Sequence, residues 1–265
     1  MKERKGLRRL YLWIILIFLY LPIFTLVVLS FNESKSMYKW TGLSFRWYLE
    51  IFQDRSILTA VFNTFAIALS AAAISTVIGV LACIGILSVS RRAQKVLLGF
   101  NQIPLLNADI VMGISLMLAF IAAGLYLNWG TVLMAHITFC VPYVILSVMP
   151  KLRQAGKDVY EAALDLGASP KFAFWKVVLP EIMPAVQSGF ILAFTMSVDD
   201  FVVTHFTRGA GINTISTLIY SQLKVGVRPT MFALSTVIFA LVLLVLLISN
   251  LSAARTERKK EGVKE

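Results

Sequence analysis

The chain has 265 residues, of which 58% are hydrophobic and only 15% are charged. Soluble domains carry about 25% charged residues, so this composition excludes an ordinary soluble domain and indicates an integral membrane protein. The net charge of +11 lies mainly in short segments beside apolar runs, without the basic patch and interleaved aromatics of a nucleic-acid-binding protein.

The first apolar run follows a basic start. Residues 1–10 carry five Lys or Arg, and residues 11–31 are apolar over a length that crosses about 30 Å of hydrocarbon. A cleaved signal peptide is the alternative, but the run exceeds the usual apolar region of about 7–15 residues and no small-x-small site follows it. We therefore expect an uncleaved first span. Residues 32–57 are polar and include Trp40, Trp47 and Tyr48, which predicts a short surface helix with aromatics at the membrane interface.

The next three apolar runs are predicted spans at residues 58–89, 96–123 and 131–149. The run at 58–89 is rich in alanine, serine and threonine, whose small side chains let transmembrane helices pack closely, so we place it centrally in the bundle. The run at 96–123 is interrupted by polar side chains and a proline, which are tolerated where the backbone lines protein or a wet cavity. The interrupting residues are Asn101, Gln102, Pro104, Asn107 and Asp109.

A polar, helix-forming segment, residues 150–180, separates the fourth span from the fifth. Asp158, Glu161 and Asp165 recur at helical spacing. Gly167 suits a helix end because glycine accepts positive φ, and Ser169 followed by Pro170 is typical of a new helix start. We expect a second short helix that ends near Pro180, since proline lacks the N–H donor. An amphipathic helix pair lying on the membrane surface is the alternative.

The fifth span is predicted at residues 181–206 and the sixth at 230–252, with a possible amphipathic helix at 213–224 between them. Six spans place both termini on one side, and 18 of the 25 Lys and Arg residues fall in the segments of that side. This excess marks the termini and the 150–180 segment as cytoplasmic. The predicted fold is therefore all-α, a single permease domain over residues 1–265 built as a six-helix transmembrane bundle.

Three aspartates fall within predicted spans: Asp109, Asp199 and Asp200. A mid-membrane aspartate costs about 2.5–3.5 kcal/mol on insertion scales, so each is a candidate for the substrate pathway. If ionised there, they favour a cation, because a low-dielectric cavity strengthens attraction to positive charge. The alternatives are a solvated structural pair at the outer interface, and an Asp109 that caps or bridges the break after Pro104.

The remaining chemistry-bearing residues are scattered. Cys83 and Cys140 lie inside apolar runs, in neither metal-binding nor redox spacing. His136 and His205 are isolated, and we expect each to be a hydrogen-bonded packing or interface residue. The chain contains no GxxxxGK[ST] loop, so we expect it neither to bind nor to hydrolyse ATP and to carry no metal or cofactor of its own.

The segment around Gly167 resembles the coupling loop of bacterial ABC importer permeases. The matching residues are Glu161, Ala162, Ala163, Gly167, Ser169, Pro170, Leu179 and Pro180. In that family the loop forms a helix that seats in a groove of the ATPase subunit, so the resemblance implies the same role for these residues.

The whole chain is similar to the spermidine/putrescine permeases of these importers, although Gly113 stands where we would expect alanine. The stretches that carry the similarity are Tyr20–Ile23, Ser30–Asn32, Asp109–Leu116, His136–Cys140, the loop above, Ser197–Val203 and Lys224–Val227. The resemblance implies a bacterial inner-membrane protein with four kinds of partner. These are a second homologous permease, two cytosolic ATPase copies that bind ATP and Mg²⁺, an extracytoplasmic polyamine-binding protein, and the polyamine.

Three other functions stay open from the sequence. The chain could import another cationic or small organic solute by the same means. Six spans with buried aspartates are also compatible with a self-sufficient secondary transporter or channel, against which only the loop argues. A membrane scaffold that transports nothing is the third.

Overall fold

The computed structural model describes residues 3–36, 38–240 and 243–244, and helices joined by turns make up this part of the chain. The helices are α1 (Glu3–Ser30), α2 (Arg46–Gln53), α3 (Arg55–Ser88), α4 (Arg91–Leu106), α5 (Asp109–Ala122), α6 (Trp129–Asp165), α7 (Pro170–Phe172), α8 (Leu179–Asp199), α9 (Val202–Thr207), α10 (Ile215–Val225) and α11 (Pro229–Ala240). By contacts the described residues form two compact units, one of residues 59–218 and one of the described residues within 1–58 and 219–265.

Four helices are long and apolar enough to cross a membrane: Arg9–Ser30, Arg55–Ser88, Trp129–Gln154 and Pro170–Asp199. The pair α4 and α5 supplies a fifth if it counts as one broken span. The all-α membrane fold is therefore confirmed. The six-span count, the cytoplasmic termini and the single domain stay predictions, because much of the sixth span and the whole basic tail lie outside the described residues.

The smaller unit contains α1, α2 and a compact turn between them. The turn is organised by buried Asn32, whose Nδ2 donates to the Lys39 carbonyl at 2.9 Å and whose Oδ1 accepts from the Thr41 amide at 3.2 Å. Trp47 in α2 donates its Nε1–H to the Asn32 carbonyl at 2.6 Å and is only 2% exposed. The predicted surface helix is present, but Trp47 packs inward to satisfy its indole N–H and is not an interface aromatic.

The larger unit is built on close packing between α3 and α6. Ala68, Ala71 and Ala72 of α3 are fully buried, and the Ser75 hydroxyl donates to the Ile137 carbonyl of α6 at 3.3 Å. Such contact requires small side chains, since the backbones must approach each other. The close packing predicted for the second span is confirmed, but the central position belongs to α6, which also contacts α4, α8 and α9. On its other side α6 packs against α8, where the Ser147 hydroxyl donates to the Ala185 carbonyl at 3.0 Å.

The predicted interruption of the third span is also confirmed. Helix α4 ends at Leu106, Asn107 is extended, and α5 starts at Asp109 with its axis bent by 106° from that of α4. The fourth span differs from expectation, because α6 continues past residue 149 to Asp165 as one 37-residue helix. Polar residues after Pro150 carry the helix beyond its apolar part.

Two glycines of α3 allow a matched test of this packing. A Cβ at Gly79 would lie 2.6 Å from Cγ1 and 2.8 Å from Cβ of Val144, whereas a Cβ at Gly85 would meet no heavy atom within 4 Å. We expect Gly79→Ala to lower the free energy of unfolding by about 1–3 kcal/mol through overpacking. Gly85→Ala should raise it by about 0.5–1 kcal/mol, because alanine loses less backbone entropy in a helix. Thermal unfolding of the detergent-purified protein measures both, and equal effects would contradict the assigned α3–α6 contact.

Candidate functional site

The segment 161–180, here called the coupling element, begins with the end of α6. The Gly167 amide donates to the Leu164 carbonyl at 2.8 Å and the Ala168 amide to the Ala163 carbonyl at 3.0 Å. Gly167 has φ +86°. These bonds satisfy carbonyls that the helix end leaves open, and the left-handed residue between them favours glycine. The predicted helix end at Gly167 is thus confirmed.

A new helix starts at once. The Ser169 hydroxyl accepts from the Phe172 amide, and Pro170 occupies the first turn, as the sequence predicts. The expectation that this second helix is short and ends near Pro180 is wrong. Helix α7, a π-helical turn at Ala173–Val178 and α8 form one continuous helix, Pro170–Asp199. The wide π turn lies just before Pro180, where a regular helix would bring a carbonyl against the proline ring.

The coupling element presents an exposed, partly apolar surface. Six of its predicted contact residues are exposed and two are half-buried. The exposed residues are Glu161, Ala162, Gly167, Ser169, Pro170 and Pro180, and the half-buried ones are Ala163 and Leu179. Leu166 at the turn is 90% exposed, and Phe172 and Trp175 are also exposed. A groove of about 570 Å³ runs between the two helices, lined by residues that include Leu166, Ala168 and Phe172. The surface to which the family resemblance assigns the ATPase contact is therefore exposed in this chain and includes apolar side chains.

The predicted pathway aspartates lie at helix breaks. Asp109 is the first residue of α5, directly after the 106° bend, and its side chain is exposed. A carboxylate in a first helical turn is favoured by the helix dipole. Asp199 is the last residue of α8 and is exposed, whereas Asp200 is extended and mostly buried. We expected the pair to lie within one continuous span. Instead, α8 ends between the two residues.

Asp200 serves as the cap of α9. One carboxylate oxygen accepts from the Val203 amide at 3.1 Å, and the other accepts from the amide and the hydroxyl of Thr204, both at 2.8 Å. These are amide groups that the start of a helix leaves without a partner inside the helix. A structural role for one member of the pair explains why α9 begins here.

His136 of α6 completes this buried network. Its Nδ1 lies 2.6 Å from the Ser197 hydroxyl, its Nε2 lies 2.9 Å from the Thr204 hydroxyl, and Nε2 lies 3.5 Å from the Asp200 carboxylate. The histidine is 1% exposed. Its expected packing role is confirmed, but its link to Asp200 was missed, because about 60 residues separate the partners along the chain. The sequence feature that could have indicated this network is the presence of hydroxyl residues, Ser197 and Thr204, on either side of Asp199 and Asp200.

The structure does not bring all the predicted residues together. The coupling element and the acidic pair lie at opposite ends of the helix Pro170–Asp199. Asp109 belongs to α5, which contacts α9 where a Cβ on Gly113 would lie 3.0 Å from Phe206 and 3.3 Å from the Val203 Cα. This close approach explains glycine where alanine was expected.

Among the described residues, no group of three or more His, Cys, Asp or Glu side chains is arranged to hold a metal ion.

The two adjacent carboxylates give a matched stability test. Asp200→Ala removes the acceptor of two amides and one hydroxyl in a mostly buried site, so we expect a loss of about 2–3 kcal/mol in the free energy of unfolding. Asp199→Ala removes an exposed side chain and should change stability by less than about 0.5 kcal/mol. Thermal unfolding of the purified protein measures both. An Asp200→Ala variant as stable as Asp199→Ala would contradict the capping role.

Known proteins match this chain over nearly its full length. Putrescine transport system permease protein PotI of Escherichia coli K12 is 37% identical over 250 residues, which cover 92% of this chain and 89% of that protein. Spermidine/putrescine transport system permease protein PotC of Haemophilus influenzae is 36% identical over 249 residues, which cover 94% and 97%. Both relatives are named as permease proteins of transport systems.

Solved structures share the fold. A bacterial ABC transporter involved in the import of the acidic polysaccharide alginate matches with a TM-score of 0.71 at 17% identity, covering 96% of this chain and 99% of that chain. A bacterial alginate ABC transporter in complex with an alginate pentasaccharide-bound periplasmic protein matches with a TM-score of 0.67 at 18% identity. The sequence profile described as "Binding-protein-dependent transport system inner membrane component" matches residues 75–260. The chain thus belongs to this family of multi-pass inner-membrane permease proteins.

Proposed function

We propose that this chain is a permease subunit of an ATP-driven ABC importer for polyamines, spermidine or putrescine or both. The observation that carries the proposal is 36–37% identity, over more than nine-tenths of the chain, to permeases named for putrescine and for spermidine/putrescine. The alginate transporters support only the fold, since their identity to this chain is 17–18%.

The chemistry of the helix breaks agrees with a cationic substrate. Asp109 and Asp199 are exposed, each at the end of a helix and next to an interruption of it. In a low-dielectric cavity such carboxylates attract positive charge strongly, and a polyamine carries two or more positive charges along a flexible chain. Two carboxylates on separate elements, α5 and α8, suit such an extended polycation better than a compact monovalent ion.

The coupling element supplies the other half of the mechanism. Residues 161–180 would dock on a cytosolic ATPase dimer, which binds ATP and Mg²⁺ and closes during turnover. The helix Pro170–Asp199 then carries this movement from the docking surface toward the acidic pair. A second homologous permease completes the pathway, and an extracytoplasmic polyamine-binding protein delivers the substrate.

Uptake measurements test the substrate class. The complete transporter, reconstituted in proteoliposomes with its binding protein, should take up labelled spermidine or putrescine only with ATP, and each polyamine should compete with the other. Failure of both polyamines to compete with a cationic solute that is taken up would favour another substrate. Gradient-driven uptake by this chain alone, without nucleotide, would favour a secondary transporter instead.

Substitution of Gly167 tests the coupling element. Gly167→Val places a β-branched side chain at φ +86°, a conformation that costs a non-glycine residue about 1–3 kcal/mol. We expect the turn to rearrange, so that ATP hydrolysis continues while polyamine uptake falls by about tenfold or more. Gly167→Asn is the matched control, because asparagine tolerates this conformation. Its ratio of uptake to ATP hydrolysis should stay near that of the unsubstituted protein, and normal uptake in the valine variant would contradict the proposed role.

A further inference from the structure

The buried network around His136 joins three helices at one point. His136 belongs to α6, Ser197 to the last turns of α8, and Thr204 to α9. His136 thereby spans the break between α8 and α9, with one ring nitrogen on each side of it. A further bond from the Thr131 hydroxyl to the Thr207 carbonyl, 2.9 Å long, holds the far end of α9 to α6.

The direction of each hydrogen bond follows from the donors available. The Thr204 hydroxyl donates to Asp200, so it accepts from His136 Nε2, which must carry a proton. The remaining nitrogen, Nδ1, shares a 2.6 Å hydrogen bond with the Ser197 hydroxyl, which can donate or accept. The series from Ser197 through His136 and Thr204 to Asp200 is fully satisfied. Networks of this kind fix one arrangement of the elements that carry them.

The same network gives the two adjacent carboxylates different tasks. Both carboxylate oxygens of Asp200 accept hydrogen bonds from α9, and Asp200 lies beside His136. The exposed Asp199 lies outside the network. The position of Asp199 depends on where α8 ends, and Ser197 is only two residues before it. Without the bond from His136 to Ser197, the last turn of α8 would lose its attachment to α6 at that point.

We propose that His136 is a positioning residue for transport: by binding Ser197 and Thr204 across the break, it confines Asp200 to capping α9 and directs Asp199 alone toward the cationic substrate. This role deepens the proposed polyamine function and rests on it for the substrate. His136 touches no substrate in this mechanism. It acts through the helix end that carries Asp199.

Transport kinetics of the complete, reconstituted transporter test the proposal. Asp199→Asn should raise the KM for spermidine by about tenfold, because it removes a charge-assisted contact. His136→Leu has a similar volume but cannot hydrogen-bond, and it should raise the KM by about threefold or more. In the Asp199→Asn background, His136→Leu should raise the KM by less than about twofold further, since the two changes act on the same contact.

Two control variants separate positioning from simple destabilisation. His136→Gln keeps a donor and an acceptor and should restore a KM near that of the unsubstituted protein. Thr138 lies on the exposed side of α6, two residues after His136. Thr138→Val removes only a hydrogen bond to the Met134 carbonyl of the same helix, so the KM should not change. A role in stability alone would lower the amount of assembled transporter with an unchanged KM in every His136 variant, and that result would overturn the proposal.

A second measurement does not depend on the substrate. A spin label on Asp199→Cys in the complete transporter reports the mobility of this helix end, and the natural Cys83 and Cys140 are fully buried. His136→Leu should narrow the electron paramagnetic resonance lines, whereas His136→Gln and Thr138→Val should leave them unchanged. Identical spectra in all variants would overturn the positioning role. Absence of polyamine uptake by the unsubstituted protein, by contrast, would remove only the proposed substrate.

Discussion

An interrupted helix in an apolar environment leaves amide and carbonyl groups that water cannot satisfy, and this constraint governs the larger unit of the chain. The chain breaks helices at Asn107 and at Asp200, and at the second break it supplies the missing partners from side chains. Asp200 accepts the amides of α9, while His136 and Thr204 complete the polar groups around it. The exposed carboxylate of Asp199 lies at the break that is stabilised in this way, and Asp109 lies at the first break.

The larger unit also depends on close contact between helices, which small residues make possible. Gly79 lies against Val144, and Gly113 lies against α9, each at a distance that leaves no room for a methyl group without movement of its neighbour. At such contacts, dispersion and backbone proximity replace the hydrophobic effect that would hold a soluble bundle. The position of α9, and with it Asp200, is therefore set by packing from α5 as well as by hydrogen bonds from α6.

Local chemistry was readable from the sequence wherever a few neighbouring residues decide it. The helix end at Gly167, the start at Ser169 and Pro170, and the break near Asn107 each follow from backbone preferences that one glycine, proline or cap residue expresses. The continuity of the helix through Pro180 was not readable, since a π turn depends on how the surrounding helices pack. The partnership of His136 with Asp200 was hidden for the same reason. It is made by the tertiary fold between residues far apart in the chain, and in the sequence only the hydroxyl residues beside the acidic pair point to it.

The unbroken helix from Pro170 to Asp199 has a geometric consequence. It spans about 45 Å at 1.5 Å per residue, so the turn that faces the ATPase in the proposed mechanism and the exposed carboxylate belong to one rod. Each residue added to or removed from that rod would rotate one end by about 100° relative to the other. The number of residues between the two ends therefore fixes the direction in which the Asp199 side chain points for a given seating of the turn, independently of which residues they are.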